Sequence, residues 1–440
     1  MKKFNKTIML CAVFLCFSTF LSFGQGARYT GSYTKSAPLQ YVDKSNFVID
    51  GLDIAASDKP GIALYGCENV IIKNSRISPS PLKPAIYLFN CKNITVIDNT
   101  FENVQSGLLA STSQGIKFEY NDLTNILGNL RGSTELGVMA QFIVVSGEGN
   151  SISHNVCENL PGESYPEDLI NISQSKGTAQ SPISIKGNWI RGGGPSTSGG
   201  GINLGDLGGA YQIAEDNILV NPGQYGIGIS GGSNMTLRNN KVYAAKQHFT
   251  NVGIVAANWY EKELGKSINI TVANNSINYK NKDGAQNNWW LNSNMEPING
   301  RETNVYNSSI TSSILPDKII GRARMGVTPG DNGTVDLPEE GTDENPGDVT
   351  GEQPGIKLPN IVNHPSIEIY LDSYNRACVN TSGSLSYSAK IYAANSAGEI
   401  IFEQRLTRFH TVLPKSPKPG TYYIFVSNGD RQHLKSLYIK

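Results

Sequence analysis

The side chains that could do chemistry are concentrated in residues 150–206. This stretch holds carboxylates, a histidine, lysines, an arginine and a tyrosine, the groups that proteins use to transfer protons and to bind cations. They are His154, Glu158, Glu163, Tyr165, Glu167, Asp168, Lys176, Lys186, Arg191 and Asp206. Three insertions into an otherwise regular pattern lie in or next to the same stretch, after Asn125, Asn159 and Arg191. Loops from neighbouring units could therefore wall a cleft.

Further polar side chains continue this face downstream. "VNPGQYGIGISGG" contains Tyr225, and "AAKQHFTNVG" contains His248. We expect both to bind substrate, together with Glu158 and Asp206. Glu158 and Arg191 occupy equivalent positions in consecutive units of the pattern, so we expect them to lie side by side. They would form either a surface ion pair of small energetic value or part of a site for an acidic sugar.

A repeat accounts for most of the chain. "GIALYGCENVIIKNSRIS" and "AIYLFNCKNITVIDNTFEN" align with apolar residues at offsets 0, +2, +8, +10 and +15. This spacing predicts three short strands per unit. Asn or Gly at offset +7 predicts a tight bend with positive φ; these residues are Asn69, Asn93, Gly115, Gly149 and Asn234. A polar column at offset +13 is predicted to run through Asn99, Asn121, Asn155, Asn188, Asp216, Asn240, Asn275 and Ser308.

Three strands per unit of about 22 residues predict an all-β fold, a right-handed, single-stranded parallel β-helix of about 10 coils. Over residues 45–315 the repeat resembles that of the pectate-lyase-like β-helix family. Stacking of the coils at ~4.8 Å would merge their apolar residues into one core. The polar column would then be a structural ladder. Cys67 and Cys91 share offset +5 in adjacent coils and should stack, either as free thiols or as a disulfide.

The outward residues of the regular strands offer little chemistry. They are Ala63, Leu109, Ile143, Gly228 and Val255. Tyr65, Tyr87 and Phe89 form an aromatic patch near the N-terminal end. This patch is expected either to stack on sugar rings or to be covered by the N-terminal segment.

The glycine-rich segment "RGGGPSTSGGGINLGD" covers residues 191–206. It departs from the phosphate-binding loop, because Gly200 stands where a lysine would follow Gly199, and it lacks a spaced GxGxxG. The repeat places these glycines in an inserted turn between two coils, where they permit positive φ and close backbone approach. We expect the segment to form the rim of a sugar groove, with Arg191 and Asp206 at its ends.

The scaffold and the polar insertions favour a carbohydrate-active enzyme, first of all a polysaccharide lyase acting on an acidic glycan by β-elimination. That reaction needs a neutralised uronate carboxylate, a base, and an acid for the leaving oxygen. We expect Lys176 or His154 as the base, Arg191 as the neutralising cation and Tyr165 as the acid. A Ca²⁺ ion would be held by Glu163, Glu167 and Asp168.

Two other functions fit the same residues. A glycoside hydrolase would place two carboxylates on either side of the scissile bond. Its candidates are Glu158, Glu163, Glu167, Asp168 and Asp206. A non-catalytic glycan-binding or adhesive surface protein would use the aliphatic strand faces and need no catalytic motif.

The ends of the chain predict export. Residues 1–24 carry lysines followed by a short apolar run and a small-residue end, as in a secretory signal peptide. The mature protein is expected to contain no membrane-spanning segment and to be a monomer. The formal net charge is zero, with 37 acidic and 37 basic residues, which gives no indication of nucleic-acid binding.

The predicted β-helix domain, residues 25–326, is followed by two further regions. Residues 327–360 form an acidic linker rich in Pro and Gly. Residues 361–440 alternate as strands of a small β-sandwich. Its close, from Gly420-Thr421-Tyr422 to Lys440, resembles a type IX secretion sorting domain of Bacteroidetes, although "LPN" at 358–360 keeps the opening motif only in part. The resemblance implies export by type IX machinery and a secreted or cell-surface location.

Overall fold

The computed structural model describes residues 31–321 and the strands between residues 367 and 439. The predicted signal peptide and the predicted linker, residues 327–360, lie outside the described residues. Within the described part, no helix is long and apolar enough to cross a membrane.

The first half of the β-helix is built from short strands, which in chain order are β1 (Thr34–Ser36), β2 (Leu39–Val42), β3 (Ser45–Asp50), β4 (Leu52–Ile54), β5 (Ile62–Tyr65), β6 (Glu68–Lys73), β7 (Arg76–Ile77), β8 (Ile86–Phe89), β9 (Lys92–Ile97), β10 (Thr100–Val104), β11 (Leu108–Ser111), β12 (Gln114–Glu119), β13 (Asp122–Ile126), β14 (Ala140–Ile143), β15 (Ser151–Ser153) and β16 (Val156–Glu158).

The second half continues the same pattern with β17 (Ile170–Ser173), β18 (Ile183–Lys186), β19 (Trp189–Arg191), β20 (Gly200–Asp206), β21 (Ala210–Glu215), β22 (Ile218–Val220), β23 (Tyr225–Ile229), β24 (Ser233–Arg238), β25 (Lys241–Ala244), β26 (Val252–Ala256), β27 (Ile270–Ala273), β28 (Ser276–Tyr279), β29 (Trp289–Leu291), β30 (Ile298–Asn299) and β31 (Val305–Tyr306). The helical turns are α1 (Glu261–Leu264) and three 3₁₀ segments, Ser293–Met295, Arg301–Thr303 and Ser312–Ile314.

The strands form three parallel sheets. Sheet A contains every third strand from β1 to β31, sheet B every third strand from β2 to β29, and sheet C every third strand from β3 to β30. The sheets have 11, 10 and 10 strands, and each coil runs through sheet B, then C, then A. The right-handed parallel β-helix predicted from the repeat is confirmed.

The core is a stack of equivalent apolar side chains. Sheet B contributes an inward row that is at most 1% exposed, consisting of Ile62, Ile86, Leu108, Ala140, Ile170, Ile202, Ile227 and Ile254. Each fully buried Ile or Leu stabilises the fold by about 1.5–3 kcal/mol relative to an exposed one. This gain requires a coil above and below, since one coil alone leaves its apolar edge in water.

The polar column forms the predicted ladder in the turn between sheets C and A. Asn121 Oδ1 accepts from the backbone N–H of Asn99 at 3.0 Å, and Asn155 Oδ1 accepts from that of Asn121 at 3.0 Å. The Asn155 side-chain amide also donates to the Phe118 carbonyl at 2.8 Å. The ladder satisfies backbone groups that no strand pairing reaches, so its role is structural.

Two members of the predicted column were wrong. The ladder passes through Asn217 and Asn304, whereas Asp216 and Ser308 are exposed. In every coil from Asn99 to Asn275 a residue with positive φ immediately precedes the inward side chain, and Asp216 (φ 57°) occupies that first position. The bends predicted at offset +7 are confirmed, with φ between 53° and 73° at all five positions.

Cys67 and Cys91 are buried free thiols. Cys91 Sγ donates to the Leu64 carbonyl at 3.3 Å, and in the next coil Ser113 Oγ accepts from the Cys91 backbone N–H at 2.9 Å. Burial raises the pKa of Cys91 to about 12. Of the two arrangements predicted, stacked thiols and a disulfide, the structure has the thiols.

The C-terminal region is a small sandwich of antiparallel sheets. Its strands are β32 (Ile367–Leu371), β33 (Ala377–Thr381), β34 (Lys390–Asn395), β35 (Ile400–Arg405), β36 (His410–Val412), β37 (Gly420–Asn428) and β38 (Arg431–Ile439). Sheet D contains β32, β33 and β36, and sheet E contains β35, β34, β37 and β38. Ile369 and Val379 of sheet D share a buried core with Ile391 and Val426 of sheet E. The predicted sandwich is confirmed.

The aromatic patch on the first coils contacts this sandwich. The Phe89 ring lies 5.8 Å from that of Tyr392 and 5.6 Å from that of Phe425. Tyr65 and Tyr87 pack against each other at 5.8 Å. The cover on Phe89 therefore comes from sheet E, and the N-terminal segment predicted as a cover does not supply these contacts.

Candidate functional site

The predicted site residues lie on different faces of the β-helix. Glu158 and Arg191 are on sheet A, and Asp206 and Tyr225 are on sheet B. His154 is in a turn between sheets C and A, and Lys176 is in a turn between sheets B and C. The turns between sheets A and B carry Glu163, Tyr165, Glu167, Asp168 and His248. Only part of the predicted set can therefore act together.

The Glu158–Arg191 pair forms as predicted. The two residues are in register on β16 and β19, and Arg191 donates to Glu158 Oε1 at 2.8 Å. Arg191 also donates to the backbone carbonyls of Pro316 and Asp317. These contacts occupy the guanidinium within the fold, and the role of Arg191 in neutralising a substrate carboxylate stays a prediction that this geometry does not favour.

The outer face of sheet A is covered in this region. Leu315 and Ile319 are buried against Val156 and Val220, and Trp189 packs against the same cluster. A segment that follows the last coil thus closes sheet A over the Glu158–Arg191 pair. The outer face of sheet A is therefore not open to a polymer at this pair.

His154 has a structural environment. It occupies the positive-φ position of its turn (φ 58°), and its ring stacks on Tyr120 at 4.9 Å. A Cβ atom at Gly187 in the next coil would lie 2.7 Å from His154 Nδ1, so glycine makes room for the imidazole. An open depression of about 400 Å³ on sheet C lies beside it, lined by Lys117, Glu119 and Ser184 among others. His154 is separated from the carboxylates on sheet B.

The three carboxylates predicted to hold calcium point to different partners. Glu163 accepts from Asn125 Nδ2 at 3.2 Å, and Glu167 accepts from Ser198 Oγ at 2.5 Å. Asp168 turns onto sheet B. Within the described residues, no three His, Cys, Asp or Glu side chains are grouped to hold a metal ion. The predicted calcium set is therefore not assembled.

The predicted lyase acid and base are also apart. Lys176 is exposed and its backbone bridges Ser146 and Ala210, while Tyr165 is half-buried and its backbone N–H donates to the Ile126 carbonyl. His248 is exposed in the turn before β26, its ring 4.9 Å from that of Phe249. None of the three lies among the carboxylate contacts on sheet B.

Asp168 anchors a polar cluster on the outer face of sheet B. It lies two residues before the start of β17 and is 8% exposed. Its Oδ1 accepts from Tyr225 Oη at 2.5 Å and from the Gly200 backbone N–H at 3.0 Å. Its Oδ2 accepts from Asn171 Nδ2 at 2.8 Å and from Asn203 Nδ2 at 3.3 Å. Four donors thus converge on one carboxyl group.

Asp206 joins the same cluster through a β-bulge. The register of β17 and β20 shifts between Asn171 and Ser173, which places Asp206 opposite Ser173. Asp206 Oδ1 accepts from Tyr260 Oη at 2.7 Å, and its Oδ2 accepts from Asn171 Nδ2 at 3.3 Å. One amide nitrogen, that of Asn171, therefore bonds both carboxylates.

Polar side chains in successive coils support this pair. The outward row of sheet B reads Gln141, Asn171 and Asn203 on β14, β17 and β20. Gln141 Nε2 donates to Asn171 Oδ1 at 3.1 Å, and Ser230 Oγ donates to Asn203 Oδ1 at 2.8 Å. These bonds fix which way each amide points, and so aim the –NH₂ groups at the carboxylates.

The glycine-rich segment makes room for Tyr225. A Cβ atom at Gly200 would lie 2.7 Å from the Tyr225 ring, and one at Gly228 would lie 3.2 Å from it. Val252 and Val255 pack on the same ring. The glycines let the phenol lie against sheet B with its hydroxyl on Asp168. The prediction of a close approach at this segment is confirmed, but Arg191, at its start, belongs to sheet A.

The two carboxyl groups differ in environment. Burial raises the pKa of Asp168 to about 6, against the opposing effect of its donors Tyr225, Asn171 and the Gly200 N–H. Burial and the nearby Asp168 carboxylate raise the pKa of Tyr225 well above its ordinary value, so the phenol stays protonated. Asp206 is less buried, and it accepts from Tyr260. A carboxyl pair in unlike environments is suited to acid–base or nucleophilic chemistry.

A loop from a later coil borders the cluster. Residues 257–269 connect β26 to β27, include α1, and return towards sheet B so that Tyr260 reaches Asp206. A Cβ atom at Gly208 would lie 2.8 Å from Leu264 Cδ1, which shows how closely the loop is seated. The turns between sheets A and B border the opposite edge. The cluster therefore lies on the outer face of sheet B, between the loop 257–269 at one edge and the turns between sheets A and B at the other.

Sequence reasoning missed Asn171, Asn203, Gln141 and Tyr260. The signal for the first three was present, because offset +1 of the repeat is aliphatic or aromatic at Ala63, Tyr87 and Leu109 and then polar in three consecutive coils. Nothing in the repeat indicates Tyr260, since it lies in an insertion.

Comparison with known proteins agrees with the fold. Residues 30–162 match the family model described as a right handed beta helix region. No curated protein sequence matches the chain. Among solved structures, the catalytic domain of a GH87 alpha-1,3-glucanase in complex with tetrasaccharides is similar at 14% identity and a TM-score of 0.36, with 61% of each chain covered. The chain thus spans about three-fifths of that domain. The family-model match agrees with the right-handed β-helix that the structure shows for the N-terminal coils.

Proposed function

We propose that the protein is a glycoside hydrolase that cleaves a polysaccharide on the outer face of sheet B, with Asp168 and Asp206 as its catalytic carboxyl groups. The observation that carries the proposal is the bridge through Asn171 Nδ2, which holds the two carboxylates together just beneath the surface of sheet B. Paired carboxyl groups with different surroundings are what glycosidic cleavage requires.

The surroundings of the two carboxyl groups indicate which one acts as the acid and which as the nucleophile. Asp168, with its raised pKa, is the acid that protonates the leaving glycosidic oxygen. Once it has given up this proton, the hydrogen bonds from Tyr225 and Asn203 stabilise its carboxylate. Asp206, which is less buried and bonded by Tyr260, attacks the anomeric carbon.

The separation of the pair favours a retaining mechanism. An inverting pair stands roughly 6.5–9.5 Å apart to admit a water molecule. Asp168 Oδ2 and Asp206 Oδ2 bond the same nitrogen at 2.8 and 3.3 Å, which keeps these oxygens closer than that range. Asp206 would form a glycosyl ester as the alcohol leaves with the proton of Asp168. Water, deprotonated by Asp168, would then release the sugar and regenerate both groups.

β-Elimination, the reaction favoured from the sequence, has less support in this geometry. It needs a cation to neutralise a uronate. Arg191 is engaged on sheet A, and neither Asp168 nor Asp206 forms an ion pair with another residue of the described chain. Two carboxylates without a cation favour a neutral sugar over an acidic one.

The test is hydrolysis by the mature protein of a panel of neutral glucans, galactans and mannans alongside uronic-acid polymers. We expect new reducing ends from a neutral glycan. Asp206→Asn and Asp168→Asn should each reduce kcat by about 10³-fold or more. Glu163→Gln, a change to an exposed carboxylate of the same insertion, is the matched control and should keep full activity.

Two results would overturn the proposal. One is an unsaturated product with near-ultraviolet absorbance, which indicates β-elimination. The other is wild-type activity in Asp206→Asn with the fold intact by circular dichroism. A protein that degrades none of the panel is likewise not the proposed hydrolase.

The proposed hydrolase is an exported protein. The signal-like residues 1–24 and the sorting-like residues 361–440 support a secreted or cell-surface protein delivered by type IX machinery. Deleting residues 361–440 should leave the protein in the periplasm of a type IX-competent host, as measured by fractionation. Unchanged delivery to the surface or medium would contradict it.

A further inference from the structure

Two exposed tryptophans lie on the same face as the carboxylate cluster. Trp290 is 43% exposed and Trp259 is 56% exposed, and their rings lie 5.5 Å apart at an interplanar angle of 50°. Two neighbouring exposed rings form an apolar surface patch, and such patches mark binding sites more often than single exposed residues do.

The sheet register connects the tryptophans to the cluster. The outward row that contains Asn203 continues through Gly228 and Val255 to Trp290. Three strand spacings of ~4.8 Å place Trp290 on the order of 14 Å from Asn203 along the helix axis. Between them the floor consists of glycine and a valine packed on Tyr225. The surface is continuous and changes from polar to apolar along the axis.

The backbone connects them as well. Trp259 directly precedes Tyr260, whose hydroxyl bonds Asp206. The Trp259 backbone N–H donates to the Ser230 carbonyl at 3.1 Å, and Ser230 Oγ bonds Asn203. The loop that positions one of the carboxylates therefore also positions one of the exposed rings.

We propose that Trp259 and Trp290 form a stacking platform that binds non-reacting sugar rings of a neutral glycan chain extending along the helix axis from Asp206. This inference rests on the proposed function for the direction of the chain. The apolar face of a pyranose ring buries well against an aromatic ring, and hydroxyls at its rim remain in water. Because the two rings are tilted, the platform fits a chain whose successive sugars rotate, and not a flat ribbon.

The charges beside the platform fit an uncharged occupant. The platform adjoins Asp206, and α1, immediately after Tyr260, carries Glu261 and Glu263 together with Lys262, with Lys266 just beyond it. The loop therefore offers an acidic polymer no net positive charge, and an uncharged polysaccharide needs none.

The experiment uses the mature protein carrying Asp206→Asn, so that bound chains are not cleaved. Maltohexaose, laminarihexaose, cellohexaose and mannohexaose, and the disaccharide of each, are titrated with tryptophan fluorescence and calorimetry as readouts. We expect at least one hexasaccharide to bind, and more tightly than its disaccharide. Trp259→Ala and Trp290→Ala should each weaken that binding roughly 2–10-fold.

Tyr306→Ala is the control, since Tyr306 is 51% exposed but lies on sheet A. The Tyr306→Ala variant should bind the hexasaccharide as tightly as the parent protein, which carries Asp206→Asn. The proposal is overturned if no hexasaccharide binds or if the tryptophan variants bind like the parent. It is also overturned if light scattering shows a dimer of the parent that the variants abolish, because the platform would then join two copies.

The two proposals fail in different ways. If Asp206→Asn leaves hydrolysis intact while the tryptophan variants lose binding, the platform stands and the catalytic assignment is wrong. If Asp206→Asn abolishes hydrolysis while the tryptophan variants bind normally, the catalytic assignment stands and the platform is wrong.

Discussion

Two sets of asparagines in this β-helix have opposite roles. Asn155 and Asn188 of the ladder are fully buried, and their amides bond backbone groups in adjacent coils. Asn171 and Asn203 on sheet B lie just beneath the surface, 5% and 8% exposed, and their amides bond carboxylates. The ladder recurs in every coil from Asn99 to Asn304, whereas the cluster occurs once. Periodic polar residues therefore maintain the scaffold, and the polar residues that break the period indicate the site.

Asn188→Ala should distinguish the ladder from the cluster most clearly, through a large loss in the free energy of unfolding. The change leaves the buried Asn155 N–H and Ile152 carbonyl without partners. Each costs about 1–3 kcal/mol, so we expect a loss of about 4 kcal/mol in the free energy of unfolding by denaturant titration. Asn171→Ala should cost less, about 1–2 kcal/mol, while reducing activity, because Asp168 and Asp206 keep other donors. Equal destabilisation by the two variants would remove the distinction.

The pH dependence of stability should be a property of the cluster and not of the ladder. Burial raises the pKa of Asp168 to about 6 in the folded protein from its ordinary value of 3.8, so its contribution is favourable when the group is protonated. The contribution of Asp168 to stability should be greatest below pH ~4 and fall by about 3 kcal/mol as the pH rises to ~6, then level off. Asp168→Asn should abolish this slope in denaturant titrations across that range, whereas Asn188→Ala should retain it.

Tyr225→Phe tests how the cluster is tuned. It removes the hydroxyl that bonds Asp168 at 2.5 Å but keeps the ring packed against Gly200. Since that bond lowers the pKa of Asp168, the pKa should rise further and the pH–rate profile should move towards higher pH. We expect kcat to fall about 10–100-fold. A profile that does not move would mean that Asp168 is not the catalytic acid.

Arg191→Ala should have the smallest effect. Its ion pair with Glu158 is partly exposed and contributes about 0–1 kcal/mol, and its bonds to the Pro316 and Asp317 carbonyls lie on sheet A, so the change should affect stability and not the site on sheet B. Activity on the neutral glycan should be unchanged, measured by reducing ends. A large loss of kcat would restore Arg191 to the site and contradict the separation of the two faces.

The repeat predicted what is periodic and failed where the period breaks. It placed the strands, the core rows, the positive-φ bends and the Glu158–Arg191 register, because stacking forces equivalent residues into contact. It could not show that Leu315 and Ile319 would cover that pair, since these residues follow the last coil and carry no repeat. It misplaced Asp216 by one residue, because both residues of that turn are polar and only the second points inward.

The sequence predicted some residues of the candidate site but not their arrangement. Asp168, Asp206 and Tyr225 were among the predicted residues, but they were assigned to different roles. Their convergence depends on a bulge at the end of β20 and on glycines that accept an aromatic ring, and both are three-dimensional features. Tyr260 reaches Asp206 from an insertion 54 residues later, a distance no local pattern encodes.

The loop that carries Tyr260 sets a limit on how this protein can be rebuilt. Solenoids are usually treated as modular, with coils that can be deleted, duplicated or exchanged singly. Here Gln141 on β14 and Tyr260 beyond β26 belong to one hydrogen-bonded assembly, so the block from residue 140 to 269 is the smallest transferable unit. A recombinant or an evolutionary descendant that alters the number of coils within this block would keep its fold and lose its site.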